Sequence, residues 1–326
     1  MYSGISGLKN FQTKLDVIGN NIANVNTYGF KKGRTIFKDL ISQTTSGASG
    51  STDTRGGVNA KQVGLGSQLS AIDTIHSGGS MQSTGNTLDL GISGDGFFIV
   101  ADGVGVDPTT GEGDFTNPLY TRAGNFYMDG NGYLINSDGK FVVGAAVSGW
   151  DGDPANVATD YPNAKDVVAN PAAIGNLVDP DVDDFSDDIV PVTAAGTGTL
   201  GYTPIRIPKN AQSMSIAQDG TVTFVDAGGT LKWAGQLVMA KFSNPGGLTK
   251  AGSNYFQESP NSGDPLNQVA TKEGVGTVNS GFLEMSNVDL SEEFTDMIVA
   301  QRGFQANTRI ITTSDSILEE LINLKR

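Results

Sequence analysis

The sequence predicts a mainly β protein with terminal α-helices. The N- and C-terminal helices pair as a coiled-coil-like domain, an antiparallel β core lies between them, and a small outer domain is inserted in that core. Three observations carry this expectation. Apolar residues near the front recur in alternating steps of three and four. A broader apolar stripe of helical period runs to the C-terminus. Between them, short alternating apolar runs are punctuated by Asp-Gly and Asn-Gly, the dipeptides of tight hairpins.

The front seam lies in "LKNFQTKLDVIGNNIANV" and consists of Leu8, Phe11, Leu15, Ile18, Ile22 and Val25. A helix is expected from about Ile5 to Tyr28, roughly 36 Å long. Gly29 is placed at its C′ position and "KKGR", from Lys31, at a solvated exit. Asn20, Asn21, Asn24 and Asn26 weaken the helix in isolation and offer amide groups for subunit contacts.

The rear helix is expected to start at Asp289, with Glu292 completing a capping box. Its stripe includes Leu290, Phe294, Met297, Phe304, Ile311, Leu318 and Ile322, and Ile310, Ile317, Leu321 and Leu324 widen it. A helix of about 50 Å with so broad an apolar stripe requires a partner. The two helices therefore pair with each other, and the surplus face pairs with other copies of the chain. Head-to-tail contacts that do not close give helical filaments.

"SQTTSGASGSTDTRGG", Ser42 to Gly57, has no period and reads as a flexible or extended connector. Strand grammar begins at Leu88, Leu90 and Ile92. It continues through "YTRAGNFYMDGNGYLINSDGKFVVG" and resumes at Ile205 and Ile207. It fades between Val147 and Thr203. The expected domains are 1–32 with 286–326 (terminal helices), 33–70 (connector), 71–146 with 204–285 (β core) and 147–203 (acidic outer insertion, removable without disturbing the flanking strands).

The net charge of −14 argues against nucleic-acid binding, which depends on neutralising phosphates. Much of the acid is local: Asp151 to Asp188 holds ten Asp and one Lys. There is no cysteine, hence no disulfide framework or thiolate metal site. No run of about 18 apolar residues suits membrane insertion, and no signal-peptide pattern opens the chain.

Catalytic chemistry is not indicated. His76 is the only histidine; Asp73 and Ser77 beside it do not make a triad, and it reads as a surface loop residue. The acidic segment raises calcium, but from Asp179 the sixth position is Asp184 and the twelfth Val190. An EF-hand loop requires Gly and Glu there. No phosphate-binding loop appears, since "GLGSQ" at Gly64 lacks the third glycine and a helix after it. No catalytic residue, metal site or cofactor is assigned.

Several long motifs resemble one family. "LDVIGNNIANVNTYGFKK" at Leu15–Lys32 closely resembles the N-terminal signature of bacterial flagellar rod and hook proteins. "SGDGFFIV" and "YTRAGNFYMDGNGYL" look like their β-domain motifs, and "SGFLEMSNVDLSEEFTDMIVAQRGFQANTRIITTSDSILEELINLKR" like their C-terminal signature. Within the family, "LEMSNVDLSEEF", "MIVAQRGFQ", "ILEELINLKR" and the outer insertion look more like hook proteins than distal rod proteins. Two features depart from the pattern: relatives usually have a few residues before Met1-Tyr2, which points to a trimmed start, and the insertion is smaller than in large hook proteins.

The resemblance implies a non-enzymatic subunit of a hollow, curved tube, a universal joint transmitting torque from rod to filament. The terminal helices form the inner tube and the insertion faces out. The implied partners are further copies of the chain, the distal rod protein, the hook-filament junction protein, the hook cap and the flagellar export apparatus. The implied location is extracellular, in the flagellar hook and basal body, reached by type III export without a cleaved signal peptide. Phe37 and Ile41 match an early export element of relatives; an ordinary amphipathic turn is the other reading. From the residues alone, a calcium-dependent extracellular binding module is the alternative of a different class.

Overall fold

The computed structural model describes residues 2–51, 53–104, 114–147, 161, 163–164, 190–191 and 199–324. They group into two compact units. One holds residues 1–25, 31–75 and 288–326; the other holds residues 26–30 and 76–287.

In the first unit, α1 spans Tyr2–Ala23 and α2 spans Leu290–Leu324. At 1.5 Å per residue they are about 33 and 52 Å long. The front helix stops five residues before the expected Tyr28. A turn follows in which the Asn24 N–H donates to both the Asn20 and Asn21 carbonyls, at 3.2 Å each. The Asn24 amide also bonds the Asn20 carbonyl, at 2.9 Å. Asparagine thus offers the backbone an alternative to the next helical turn. At the start of α2, Asp289 Oδ1 accepts from the backbone N–H of Ser291 (2.8 Å) and Glu292 (3.4 Å), the cap expected there.

The segment expected as connector is ordered as two ribbons. Gly33–Asp39 pairs antiparallel with Ser67–Thr74, and Ser42–Ser46 with Lys61–Gly64. "KKGR" is not a solvated exit. Lys31 is buried at 1% exposure, and Lys32 forms a 2.7 Å ion pair with Glu292.

The second unit is antiparallel throughout its described pairings, as the hairpin dipeptides indicate. Its sheet is organised on Leu231–Lys241, whose residues 232–240 are all buried. This strand pairs with Phe141–Val147, Phe97–Val104, Thr221–Val225 and Leu266–Val269. Side chains alternate between two apolar clusters. Phe98 and Val100 enter one, and Phe97, Ile99 and Ala101 the other. A register shift opposite Val222/Thr223 breaks the alternation, so Trp233 joins Val238 and Ala240 on the second side.

Part of the expected insertion belongs to this core. Tyr161 is 4% exposed and packs edge-on against Phe224 at 5.1 Å. Its carbonyl accepts from Lys232 Nζ at 3.1 Å. Thr199–Pro204 pairs with Phe141–Val147. The segment is therefore not simply removable; most of its acidic residues, including the loop from Asp179, lie outside the described residues. His76 is half-buried rather than a free surface residue: it packs 5.6 Å from Phe97 and 5.2 Å from Phe256, centroid to centroid.

A buried ion pair ties this unit together. Arg122 and Glu284 side chains are 2% and 0% exposed and meet at 3.2 Å. Arg122 Nη2 donates to the Gly94 carbonyl (2.9 Å), and its guanidinium lies 5.3 Å from the Phe97 centroid. Glu284 Oε1 accepts from the Gly79 N–H at 3.0 Å. The Glu284 carbonyl accepts from the Gly29 N–H at 2.8 Å. Gly29 is therefore no helix cap. It has φ +70°, and a Cβ there would lie 2.5 Å from the Ala123 nitrogen, so only glycine fits.

Removing one partner of a buried pair strands the other charge. Arg122→Met is expected to cost about 3–5 kcal/mol in urea denaturation, and Arg122→Met with Glu284→Leu to recover much of that loss.

Candidate functional site

The candidate site is the apolar surface of the terminal helices. Their pairing can be read residue by residue. A Cβ at Gly7 would lie 2.9 Å from the Asn307 amide. A Cβ at Gly303 would lie 2.5 Å from the Phe11 ring. Lys14 Nζ meets Asp296 at 3.0 Å, and Asn21 Nδ2 donates to Glu293 Oε2 at 3.2 Å. Ascending numbers on α1 meet descending numbers on α2, so the pair is antiparallel. Phe11 lies directly on the α2 backbone because Gly303 presents no side chain.

On α1, Ile18 is buried at 3% exposure, and Leu8, Phe11, Leu15, Ile22 and Val25 are half-buried, Val25 just beyond the helix end. On α2 the seam runs through Glu293, Met297, Ala300, Phe304, Asn307, Ile311 and Ser314 in alternating steps of four and three, with Asp296, Gly303 and Thr308 partly covered beside it. Met297, Phe304 and Ile311 of the expected stripe lie in this seam. Phe294, Leu318 and Ile322 do not: they are 50%, 45% and 68% exposed. Gly7, Gly303, Ala300 and Asn307 were not anticipated. An apolar period passes over them: Ala300 and Asn307 fall on the seam's rhythm, and Gly7 and Gly303 lie one position beside it.

The seam outlasts its partner. Gly4, near the start of α1, already lies against Ile310 and Ile311. From Ser314, four further residues reach Leu318 and three more reach Leu321, continuing the same steps with no α1 beside them, and Ile322 lies one residue beyond. Ile310, Ile317, Ile322 and Leu324, beside that line, are 54–83% exposed. Phe37 is half-buried on a strand, and Ile41 is 80% exposed.

The polar end of the seam is closed by Asn21. Its side chain is 1% exposed, donates to the Gly33 carbonyl (2.9 Å) and accepts from the Gly33 N–H (2.9 Å) as a strand partner would. This amide therefore serves the chain itself. Glu293 is 6% exposed. Burial holds its carboxyl above the usual carboxylate range, against the opposing pull of the Asn21 amide and the Lys32 charge. Among the described residues no group of three or more His, Asp or Glu could hold a metal ion.

Three family profiles match the chain. "Flagella basal body rod protein" covers residues 1–31, "Flagellar hook protein FlgE/F/G D1 domain" residues 91–224, and "Flagellar basal body rod FlgEFG protein C-terminal" residues 279–324. The flagellar basal-body rod protein FlgG of Bacillus subtilis is 48% identical over 328 residues, covering 100% of this chain and 98% of the relative. The flagellar hook protein FlgE of Borreliella burgdorferi is 34% identical over 449 residues, covering 100% and 99%. The FlgG of the same organism is 32% identical over 331 residues, covering 100% and 98%.

Folded Glu293 binds a proton more readily than the unfolded chain does. Its contribution therefore weakens as pH rises from the ordinary carboxylate pKa through the higher folded value. Glu293→Gln keeps an acceptor for Asn21 and removes the buried charge. It is expected to raise the melting temperature by about 2–4 °C at neutral pH, with the advantage vanishing near pH 4, by circular dichroism.

Proposed function

Because this chain belongs to the flagellar hook and rod protein family, we propose that it is the repeating subunit of the flagellar hook, built into a hollow curved tube by its terminal helices. Proteins of this family are structural, and the chain is not an enzyme. The observation that carries the assembly reading is the uncovered continuation of the α2 seam at Leu318 and Leu321, with Ile322 exposed beside it. A seam that keeps its period past the end of its partner has the geometry to receive another helix, and a helical polymer supplies one from a further copy.

The comparison within one organism supports hook over rod: the Borreliella burgdorferi hook protein aligns at 34% over 449 residues and its rod protein at 32% over 331. A second reading, the distal rod protein, is favoured by the 48% identity to the Bacillus subtilis rod protein along nearly its whole length. Under the hook reading the neighbours in the axis are further copies of the chain, the distal rod protein, the hook-filament junction protein and the hook cap. The subunit reaches its extracellular place through the flagellar export apparatus, with Phe37 and Ile41 as the export element. No relationship found supports the calcium-binding alternative.

Leu318→Asp with Leu321→Asp is expected to leave the monomer's circular dichroism unchanged and raise the critical concentration for polymerisation at least about 100-fold, since each leucine-sized side chain contributes about 1.5–3 kcal/mol when buried. Chains lacking residues 1–30 or 288–326 are expected to stay soluble and form no tubes in sedimentation; normal tubes would contradict the reading. Electron microscopy of the wild-type polymer separates the two readings, a curved tube for the hook and a straight, stiff one for the rod.

A further inference from the structure

A cavity of about 240 Å³ lies within the second unit, between the Asn26–Tyr28 segment and the hairpin turn at Ser253 and Asn254. Its lining contains no charged side chain; it is made of amides, hydroxyls and tyrosine rings. Phosphates, nucleotides and charged peptides therefore have no counter-charge there. The cavity is smaller than the usual range for drug-sized ligands, about 300–1,000 Å³.

Its walls are fixed from behind. Asn254 Nδ2 donates to the Tyr28 carbonyl at 3.1 Å, and the Asn254 carbonyl accepts from Thr121 Oγ1 at 3.1 Å. The turn itself is strained. Ser253 and Asn254 have φ of +47° and +62°, a pair of values for which Asn-Gly is the favoured sequence. Asn254 tolerates this conformation and uses its amide. Ser253 is poorly suited to it, and its hydroxyl makes no bond to a described residue. Backbone held in sparsely populated conformations clusters at ligand clamps. The amides of Asn26 and Asn125 likewise face the cavity without a bond to another described side chain.

We propose that this cavity is a binding site for a neutral sugar, one pyranose ring of a glycan. The Asn136 amide and the Tyr255 hydroxyl are bonded to each other at 2.6 Å, so the Asn26 and Asn125 amides and the Ser253 hydroxyl are the groups that can give to and receive from the alternating hydroxyls of a pyranose. Its C–H face can lie on an aromatic ring such as that of Tyr28. The proposal does not depend on the hook or rod reading.

Ligand-observed saturation-transfer NMR on the full chain tests it, with the N-acetylglucosamine disaccharide as probe. The expected result is saturable transfer with a dissociation constant on the order of 1 mM. Asn125→Ala is expected to weaken binding about tenfold. Ser253→Gly relieves the turn, so it should melt higher than wild type and still bind several-fold more weakly; that combination excludes loss of fold as the cause. Absence of saturable transfer, or binding unchanged in both variants, overturns the proposal. Preferential binding of a neutral Ser-Asn-Gly peptide over the sugar also overturns it, in favour of a protein loop.

Discussion

The terminal unit is governed by a mismatch of length. The two helices share one seam, but α2 is about 19 Å longer than α1. The α2 seam from Glu293 to Ser314 keeps alternating steps of four and three, and the next two steps, to Leu318 and Leu321, fall where α1 no longer runs beside it. Leu318 and Leu321 are therefore seam positions without a partner rather than incidental surface leucines. Ile310, Ile317, Ile322 and Leu324 add to the exposed apolar area. Contiguous exposed apolar surface on a soluble chain marks an interaction site, and the chain's family assembles axial structures. The same feature explains the modest intrachain pairing. Much of α1 is only half-buried, and its polar end is held by one amide, Asn21, gripping Gly33 and Glu293.

The β unit follows a different logic. Its rigidity comes from a central strand buried on both faces and from the Arg122–Glu284 pair, which collects Gly29, Gly79 and Gly94 around itself. The residues just after α1, Asn26 to Phe30, thus belong to the β unit, held by the backbone bond from Gly29 to Glu284 and by the Asn254 side-chain amide on the Tyr28 carbonyl. A short signature that reads in sequence as the tail of a helix is in fact a docked strap. Such a pair is worth little as net stability compared with apolar replacements, but breaking it is costly.

The fold was legible where period and turn chemistry dominate. The helix pairing followed from steps of three and four, the antiparallel sheet from Asp-Gly and Asn-Gly, and the α2 cap from Asp289. Elsewhere the physics lies outside pattern. The apolar rhythm continues to Val25, whereas asparagine side chains end the helix at Ala23. Composition does not reveal a buried lysine such as Lys31. The Ser/Thr/Gly segment has no period, yet Ser and Thr serve well enough in exposed ribbon pairs. A missing side chain, as at Gly303, leaves no mark in an apolar pattern. Phe294 is apolar and close in sequence to the seam, but lies about a quarter-turn from it on an exposed face.

The central claim is that another copy of the chain covers the free end of the α2 seam. The chain contains no cysteine, so Leu318→Cys creates a unique attachment site for a spin label. Electron paramagnetic resonance of the labelled chain, before and after polymerisation, reads the environment of that position directly. The account predicts a mobile label in the monomer and a strongly immobilised one in the tube. A label that stays equally mobile in well-formed tubes would contradict it.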